Sequence, residues 1–424
     1  MEYGFDKKDR EILRETAKMQ MDFASQERNA VLKEKWYRHN ALEGEVPMVV
    51  LESWGFNNEV ITPRLRCSGA FARKVEFELY QNFVNQELFG DDKVTPDRFE
   101  MNYDTEFKLY GLDIIKEFVT GKEEDDSAGI GVRFVPVIED LEDDMEKIKS
   151  SIFSVDVEST QKKFQAVTEA FGDILPVKMK MDCLYSVPTQ MIIHLMGMEN
   201  MMLNLAQYPE LFKEIMDQAA DDTLAYYDLL EEKGLILPTT EYESVGQGTF
   251  AFNTELPGYE TLKERKLTRK DVWGYMDSQE TLSISPQMFE EIIFPCYEKI
   301  GSQFGLLSYG CCEPVDRVWD SCISKFKNLR KVSISPWCNE EVMGEKLQGG
   351  KIIYHRKPAA TFLGVSGKEL DEEAFRSYIR KSLHAARGCK MEITQRDIYT
   401  IDSNPKKAQR YIQFIREEIE NNWK

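Results

Sequence analysis

Histidine is scarce in this chain of 424 residues, which has only four, at positions 39, 194, 355 and 384. A metal site built from three histidines is therefore disfavoured. Glycine-rich phosphate loops are missing as well, because no G-x-G-x-x-G or Walker sequence occurs, and such a loop is typical of nucleotide-binding open sheets. The G-x-S-x-G turn that carries the serine of many hydrolases is also absent. These absences argue against an open nucleotide-binding sheet and against serine-based hydrolysis.

Basic charge is in short supply too, since 54 lysines and arginines stand against 74 aspartates and glutamates, for a formal net charge of -20. General nucleic-acid binders usually carry a basic face, so that function is disfavoured. No apolar run approaches the roughly 20 residues of a membrane helix, and residues 1–8 lack the apolar core of a signal peptide. The eight cysteines show no spacing typical of a disulfide framework. We therefore expect a cytoplasmic protein with free thiols and small-molecule partners, without nucleic acid or membrane contacts and able to form oligomers.

The chain does have enough apolar sequence for a packed core, with 42% hydrophobic and 11% aromatic residues. Residues 1–45 show helical periodicity, and 46–51 are an apolar run typical of a strand. Acidic stretches at 123–126 and 139–144 are typical of solvated faces. From about residue 170, short apolar runs alternate with helical segments. These runs lie at 174–179, 235–237, 272–276, 305–309, 331–334, 351–354 and 391–393.

Proline and glycine mark the helix boundaries between these runs. Pro286, Pro314 and Pro405 each stand where a helix would begin, and Gly234 stands where a long helix would end. Seven strand–helix units in series, with one more strand from upstream, reach the eight of a (β/α)8 TIM barrel. The alternative is an open doubly wound sheet. We expect a barrel over 151–424, with an N-terminal helical and mixed extension over 1–150 packed on it.

Reacting groups in a TIM barrel project from the carboxyl ends of the strands, so the residues just after each apolar run are the candidates for a site. Thiol and polar side chains follow seven of the runs. They are Asp182, Cys183, Glu241, Glu243, Asp277, Gln279, Glu280, Cys311, Cys312, Glu313, Trp337, Cys338, His355, Lys357, Gln395 and Asp397. This set is chemically richer than a structural rim requires, and it predicts an active site.

The two adjacent thiols of Cys311 and Cys312 stand at the centre of this prediction. Both would lie at the start of the helix that Pro314 opens, where the helix dipole favours a thiolate. A thiolate is a nucleophile and a zinc ligand. The alternative is that one of the two is buried as a small apolar residue. Cys338 is a third soft ligand or a core residue by the same reasoning.

Carboxylates beside the thiols allow acid–base chemistry. Glu280 follows a strand directly and could be a metal ligand, a general base or a hydrogen-bonding partner for substrate. The alternative is a carboxylate that only stabilises a helix start, and Glu313 has the same two interpretations. We predict Glu280, Gln279 and Glu313 as catalytic. His194 lies in a methionine-rich stretch that we interpret as packing.

Several stretches resemble a known family. They are Met196-Gly197-Met198-Glu199, Tyr208-Pro209-Glu210-Leu211, Ser283–Phe289 with Pro295 downstream, and Tyr309–Glu313. Over about 150–424 the chain resembles the uroporphyrinogen decarboxylase superfamily, whose members are (β/α)8 barrels. The superfamily includes cofactor-free porphyrinogen decarboxylases and zinc-dependent, corrinoid-linked methyltransferases. Tyr309–Glu313 falls where those proteins carry a His-x-Cys-Gly turn.

The methyltransferase branch is the more similar of the two. The decarboxylases hold a polycarboxylate with an Arg-Gln-Ala-Gly-Arg turn, whereas the nearest match here is Arg64-Leu65-Arg66-Cys67-Ser68-Gly69. The methyltransferases bind zinc through His-x-Cys and a later cysteine. Those three positions here fall on Tyr309, on Cys311 and near Gln395–Asp397, so only Cys311 carries over.

The resemblance implies zinc held by a rebuilt set of ligands, Cys311, Cys312 and Asp397. It also implies substrate contacts at the barrel mouth, which we assign to Asp182, Glu241, Tyr309, Trp337 and Lys357. The implied activity is demethylation of a small O- or N-methyl compound. The methyl group would pass to a corrinoid on a separate protein, because the chain lacks an Asp-x-His-x-x-Gly cobalamin loop.

Two other functions stay open at this point. One is a uroporphyrinogen-decarboxylase-like lyase acting on a tetrapyrrole-type carboxylate, which would need a basic cleft. The basic residues available for it are Arg64, Arg66, Lys178, Lys180 and Lys357. The other is a barrel that binds a ligand without turning it over, which would have an apolar cleft without a convergent polar cluster.

Overall fold

The computed structural model describes residues 3–118 and 132–423. The acidic stretch at 123–126 lies outside these residues. Within the described ranges, no helix is both long and apolar enough to cross a membrane.

Thirteen strands occur in the described residues. They are β1 Met48–Leu51, β2 Phe99–Met101, β3 Asp104–Lys108, β4 Ile115–Phe118, β5 Val132–Val135, β6 Ile152–Asp156, β7 Val177–Met179, β8 Leu184–Tyr185, β9 Trp273–Met276, β10 Leu306–Tyr309, β11 Leu329–Ile334, β12 Ile353–Arg356 and β13 Lys390–Gln395.

The helices in the same ranges surround these strands. They are α1 Lys7–Ala24, α2 Glu27–Asn40, α3 Asn57–Val60, α4 Ala70–Val84, α5 Leu141–Asp144, α6 Val157–Phe171, α7 Pro188–Met196, α8 Met198–Gln207, α9 Pro209–Lys233, α10 Pro286–Met288, α11 Phe294–Gly301, α12 Glu340–Leu347, α13 Glu372–Ala385 and α14 Pro405–Asn422. Single π-helical turns at Asn85–Phe89 and Phe289–Ile293 extend α4 and join α10 to α11.

Seven strands form one parallel sheet in the order β1-β13-β12-β11-β10-β9-β8. Five of them, β9 to β13, are neighbours both in sequence and in space, which is the pattern of repeated strand–helix units. Strand β1, from the N-terminal region, pairs with β13 in the register Val49↔Ile393. The chain is therefore a mixed α/β protein with a TIM-barrel-like parallel sheet. The short β7 pairs with β2 in a separate two-stranded ladder.

Backbone amides on the outer edge of β1 donate hydrogen bonds to side chains, because no strand pairs with β1 on that side. Asp92 accepts a hydrogen bond from the Val49 amide at 2.8 Å, and Asp91 accepts one from the Leu51 amide at 2.8 Å. Burial raises the pKa of Asp91, and the hydrogen bond from the Leu51 amide opposes that effect. Because a buried amide without an acceptor is costly, the two carboxylates allow β1 to end the sheet.

In the seven-stranded sheet, β1 and β9 to β13 bury both faces, as parallel strands usually do. On one face, residues such as Leu307 and Ile393 pack against α9, α11, α13 and α14 in the main core. On the other face, Trp273 and Leu306 pack against the segment 241–253, which crosses the sheet. Gly248 lies in this segment at φ +72, and a Cβ there would come within 2.3 Å of the Thr394 side chain.

Most of the sequence-based boundaries are confirmed. The structure places Pro286 and Pro405 at helix starts and Gly234, at φ 68, at the end of α9. Three expectations are wrong. The run at 174–179 forms β7 outside the seven-stranded sheet. No strand forms at 235–237, whose apolar side chains are buried in an irregular segment. Pro314 does not open a long helix, because only short 3-10 turns at Val315–Val318 and Ile323–Lys325 follow it.

A buried charged group occupies the face of the sheet that 241–253 covers. The Glu392 carboxylate lies 3.2 Å from each of three nitrogens, Lys331 Nζ, His39 Nε2 and His355 Nδ1. Burial, together with the charges of Lys357 and Lys331, lowers the pKa of His355 to about 3 against the opposing effect of Glu392. Burial also lowers the pKa of His39. Both imidazoles are therefore neutral at physiological pH.

The buried group around Glu392 predicts that the free energy of unfolding falls as the pH is lowered. Below about pH 6.5 the unfolded chain protonates its histidines, whereas folded His355 stays neutral down to about pH 3. The unfolded state thus binds more protons in that window, and the free energy of unfolding falls with falling pH by about 1.4 kcal/mol per pH unit for each such proton.

Urea unfolding at a series of pH values between 7 and 4 measures this slope. His355→Asn should make the slope shallower, whereas His384→Asn, at an exposed position on α13, should leave it unchanged. Equal slopes for wild type and His355→Asn would contradict the assignment.

Candidate active site

Side chains from the carboxyl ends of five strands meet at one edge of the sheet. Asp277 follows β9, Cys311 follows β10, Lys357 follows β12, Arg396 follows β13 and Glu52 follows β1. We call these five residues the strand-end cluster. The edge where parallel strands end is the usual place for an active site in such folds.

The turn after β10 is held by the Glu313 side chain. Its carboxylate accepts hydrogen bonds from the Cys311 amide at 2.8 Å and from the Ser278 amide at 2.9 Å. Gly310 turns the chain at φ +98, where a Cβ would stand 3.1 Å from the Ser333 Cβ. Glu313 thus positions Cys311 and links the turns after β9 and β10.

Cys311 is held as a thiolate by its surroundings. The Arg396 guanidinium donates from Nη1 to Cys311 Sγ at 2.9 Å. Gln279 Oε1 lies 3.2 Å from the same sulfur, where it can accept a hydrogen bond from a thiol but does not stabilise a thiolate. The hydrogen bond from Cys312, followed by the charges of Lys357 and Arg396, lowers the pKa of Cys311 to about 5 against the opposing effect of burial. A thiolate next to fixed cations is the usual arrangement of a reactive cysteine.

Cys312 is the proton-bearing partner of the pair. Its Sγ lies 3.5 Å from Cys311 Sγ and 3.8 Å from Asp397 Oδ2. The hydrogen bond to Cys311 and burial raise the pKa of Cys312. The two adjacent thiols therefore differ in protonation at neutral pH.

Three carboxyl groups near the thiols have raised pKa values. Burial raises the pKa of Asp277 well above its usual range, and the charges of Glu313 and Cys311 add to the effect. Burial and the Cys311 charge raise the pKa of Glu313 to about 7. Burial raises the pKa of Glu280, whose carboxylate accepts a hydrogen bond from Thr189 Oγ1 at 2.9 Å. A carboxyl group whose pKa is raised keeps its proton to a higher pH than usual and can serve as a proton donor.

Asp277 is additionally short of partners. Its Oδ2 accepts a hydrogen bond from the Tyr275 hydroxyl at 2.8 Å. Its Oδ1 is buried and has no hydrogen-bond partner among the described residues. A buried carboxyl oxygen without a donor is costly when charged, so the contacts agree with a protonated Asp277.

An open cavity of about 580 Å³ adjoins the thiol pair. Glu280, Gln279 and Cys312 form its polar wall. The ring of Phe134 stacks on His194 with 3.9 Å between ring centroids, and both line the cavity. The apolar and amide side chains that complete the wall are Gln190, Ile193, Met198 and Leu282. A small molecule in this cavity would contact a thiol and a carboxyl group.

The structure brings most of the predicted site residues together. Besides the catalytic set of Gln279, Glu280 and Glu313, the predicted metal ligands Cys311, Cys312 and Asp397 lie in this neighbourhood. Lys357 does so too, with its Nζ donating to Gln247 Oε1 at 2.7 Å and to the Gly310 carbonyl at 3.3 Å.

Four predicted substrate contacts lie elsewhere. Tyr309 is buried on the helix side of β10, where its hydroxyl lies 2.8 Å from Ser278 Oγ. Asp182 pairs with Lys180 at 3.1 Å, and Glu241 belongs to a charged group around Arg98. Trp337 is 72% exposed.

Arg396, Gln247 and Glu52 were missed in the sequence. Arg396 lies in phase with Glu392 and Thr394 on β13, so strict alternation could have found it. Glu52 directly follows β1 and could have been found by the rule applied to the other strands. Gln247 sits between two glycines of the crossing segment, and no local pattern predicts its place. The contact of His194 with the cavity was also missed, because its methionine-rich neighbours indicated packing.

The basic residues named for a lyase do not gather in one place. Arg64 pairs with Glu87 at 2.6 Å, and Arg66 pairs with Glu15 at 2.9 Å. Of the five, Lys357 is the one in the strand-end cluster.

The donor set does not fit the zinc ion that the resemblance implies. Within 3–118 and 132–423, no group of three or more histidine, cysteine, aspartate or glutamate residues is arranged to hold a metal ion. The Arg396 guanidinium lies against Cys311 Sγ, where a metal would have to bind. Zinc therefore stays a prediction of the resemblance.

Comparisons with known proteins give little further information. No family model matches the chain, and no curated protein matches it. Among solved structures, a methyltransferase from Methanosarcina mazei is similar at 12% identity and a TM-score of 0.48, over 92% of this chain and 98% of that one. At that identity and TM-score the likeness assigns neither fold nor activity.

The contacts of Cys311 predict unusual reactivity at low pH. Cys311 is 1% exposed, so access limits the absolute rate of its alkylation by iodoacetamide, but that rate should stay nearly constant down to about pH 5, because the thiolate persists to that pH. Arg396→Gln should slow the reaction at pH 6 about tenfold or more, because loss of a neighbouring cation raises a thiol pKa.

Mass spectrometry of the modified peptide measures this rate as a function of pH. Cys183, half-buried elsewhere, provides the comparison, since burial raises its pKa and it should react only slowly. A Cys311 rate that falls off near pH 8 to 9, as for an ordinary thiol, would contradict the assignment.

Proposed function

We propose that this protein is a methyltransferase that removes the methyl group from a small O- or N-methyl compound and passes it to a corrinoid on a separate protein. The observation that carries the proposal is Glu280, a carboxyl group with a raised pKa on the wall of an open cavity at the strand ends. The sequence resemblance to corrinoid-linked methyltransferases supports the choice of reaction.

A proton donor is what such a demethylation needs from this chain. When the carbon–heteroatom bond breaks, its electron pair stays on oxygen or nitrogen, which becomes a far better leaving group if it receives a proton. Glu280 faces the cavity and can give that proton. A reduced corrinoid, when bound, supplies the nucleophile that accepts the methyl group.

The residues behind Glu280 keep it in place. Thr189 Oγ1 donates to its carboxylate at 2.9 Å and also lies 2.7 Å from the Tyr297 hydroxyl. Tyr297 in turn donates to the Asp277 carbonyl at 2.7 Å. This buried chain fixes the direction of the carboxyl group.

Three exposed aromatic side chains, which form an aromatic rim at the carboxyl-end edge of the sheet, suit a protein partner. Trp54, Trp337 and Tyr399, which follow β1, β11 and β13, are 68%, 72% and 49% exposed. Exposed aromatic side chains are enriched where proteins dock. A corrinoid carried on another protein would have to approach this rim to reach the cavity.

The proposal is tested by incubating the protein with reduced corrinoid protein, or with free reduced cobalamin, and a panel of methoxylated and N-methylated compounds. Formation of methylcobalamin is followed by absorbance. Glu280→Gln should slow the transfer by about 10²- to 10⁴-fold, the range lost with a general acid.

Glu345→Gln, at an exposed position on α12, is the matched control and should keep the wild-type rate. Absence of methylcobalamin with every donor would contradict methyl transfer. Full activity in Glu280→Gln would contradict the role of Glu280, and release of carbon dioxide from a tetrapyrrole carboxylate would favour the lyase.

A further inference from the structure

The adjacent cysteines after β10 form a dithiol whose second member reaches the open cavity. Cys311 Sγ and Cys312 Sγ are 3.5 Å apart. Cys312 is half-buried and lines the cavity of about 580 Å³. Cys312 can therefore be reached by a small molecule, whereas Cys311 is 1% exposed and does not line the cavity, so an oxidant has to be as small as hydrogen peroxide to pass Cys312 and reach Cys311. To bond, the two sulfurs would have to close from 3.5 Å to the about 2.05 Å of a disulfide.

We propose that Cys311 and Cys312 are a redox modification site, which a hydroperoxide converts into a disulfide between the two neighbouring residues. The proposal is independent of the methyl transfer proposed above.

The surrounding contacts divide the chemistry between the two sulfurs. Arg396 donates to Cys311 Sγ at 2.9 Å, which favours an anionic sulfur able to attack a peroxide. Cys312 carries the proton of the pair, and Asp397 Oδ2 lies 3.8 Å from Cys312 Sγ, where it can accept that proton once the thiol turns away from Cys311. Cys311 is the attacking residue and Cys312 the resolving one, the pairing found in redox-sensing cysteines.

The reaction balances with the hydroperoxide as the oxidant. Cys311 sulfur bonds to the terminal oxygen and the O–O bond breaks. The alkoxide, or hydroxide where the oxidant is hydrogen peroxide, takes up a proton from solvent and leaves as an alcohol or as water. Cys312 then gives its proton to Asp397, and its sulfur attacks the Cys311 sulfur. The S–O bond breaks and hydroxide leaves as water with that proton. Two thiols are oxidised, and the peroxide is reduced to alcohol and water.

The product would be readily reversible. Consecutive Cα atoms are about 3.8 Å apart, closer than the about 4.4–6.8 Å of ordinary disulfides. A bond made at that spacing is strained, and strained disulfides are the labile and regulatory ones. Its formation would also remove the anionic sulfur that Arg396 contacts and block the polar wall of the cavity.

The experiment follows the sulfurs directly and needs no substrate. Intact protein is treated with a small excess of hydrogen peroxide, free thiols are trapped with iodoacetamide, and the protein is digested with trypsin without reduction. The tryptic peptide 300–317 contains Cys311 and Cys312 and no other cysteine. We expect this peptide to lose two hydrogen atoms in mass and to escape alkylation, and dithiothreitol to restore both thiols.

Single variants separate the two roles. In Cys312→Ser the sulfenic acid at Cys311 should accumulate and be captured by dimedone, whereas wild type should give little adduct. In Cys311→Ser neither a disulfide nor a dimedone adduct should appear at Cys312. Cys183→Ser, the control at the other half-buried cysteine, should leave oxidation of the pair unchanged.

Three results would overturn the proposal. They are a wild-type peptide that stays fully alkylated at peroxide levels that form the Cys312→Ser adduct, a dimedone adduct on Cys312 in place of Cys311, and a disulfide from either residue to another cysteine.

Discussion

The contact between the Arg396 guanidinium and Cys311 Sγ, 2.9 Å long, is the interaction on which the site depends. It joins the carboxyl ends of β10 and β13, the strands that carry the two residues. It also places a fixed positive charge beside a sulfur that is otherwise buried, and a charge buried without a partner would be costly. Burial raises the pKa values of Asp277 and Glu313, and the charge of the anionic sulfur adds to that effect. The ion pair thus contributes to the protonation of its neighbours.

Residues earlier in β12 and β13, on the same face of the sheet as Lys357 and Arg396, support this arrangement. His355 and Glu392 lie two and four residues before Lys357 and Arg396, on the same face of β12 and β13. Their contacts at 3.2 Å fix the two strands against each other. Gln247 then accepts hydrogen bonds from both Lys357 and Arg396. This buried network of hydrogen bonds and ion pairs therefore positions the Lys357 and Arg396 side chains.

Much of the sheet and part of the site could be predicted from the sequence, because both follow local patterns. Apolar runs and helix-opening prolines located β9 to β13, and the strand-end rule found Cys311, Glu280 and Lys357. Other features depend on tertiary contacts. Tyr309 faces the helices because it is one residue out of phase with the site face. Gln247 reaches the site only because its segment crosses the sheet. The helix expected after Pro314 does not form, and the chain makes two short 3-10 turns there instead.

The central claim is that the thiolate of Cys311 lies beside carboxyl groups that hold protons at neutral pH, with Asp277 the most strongly shifted. Infrared spectroscopy of the folded protein at pH 7 tests this most directly, because a protonated carboxyl group has a carbonyl band distinct from that of a carboxylate. We expect such a band in the wild-type protein and its loss or clear weakening in Asp277→Asn. A wild-type spectrum without the band, or one that Asp277→Asn leaves unchanged, would contradict it.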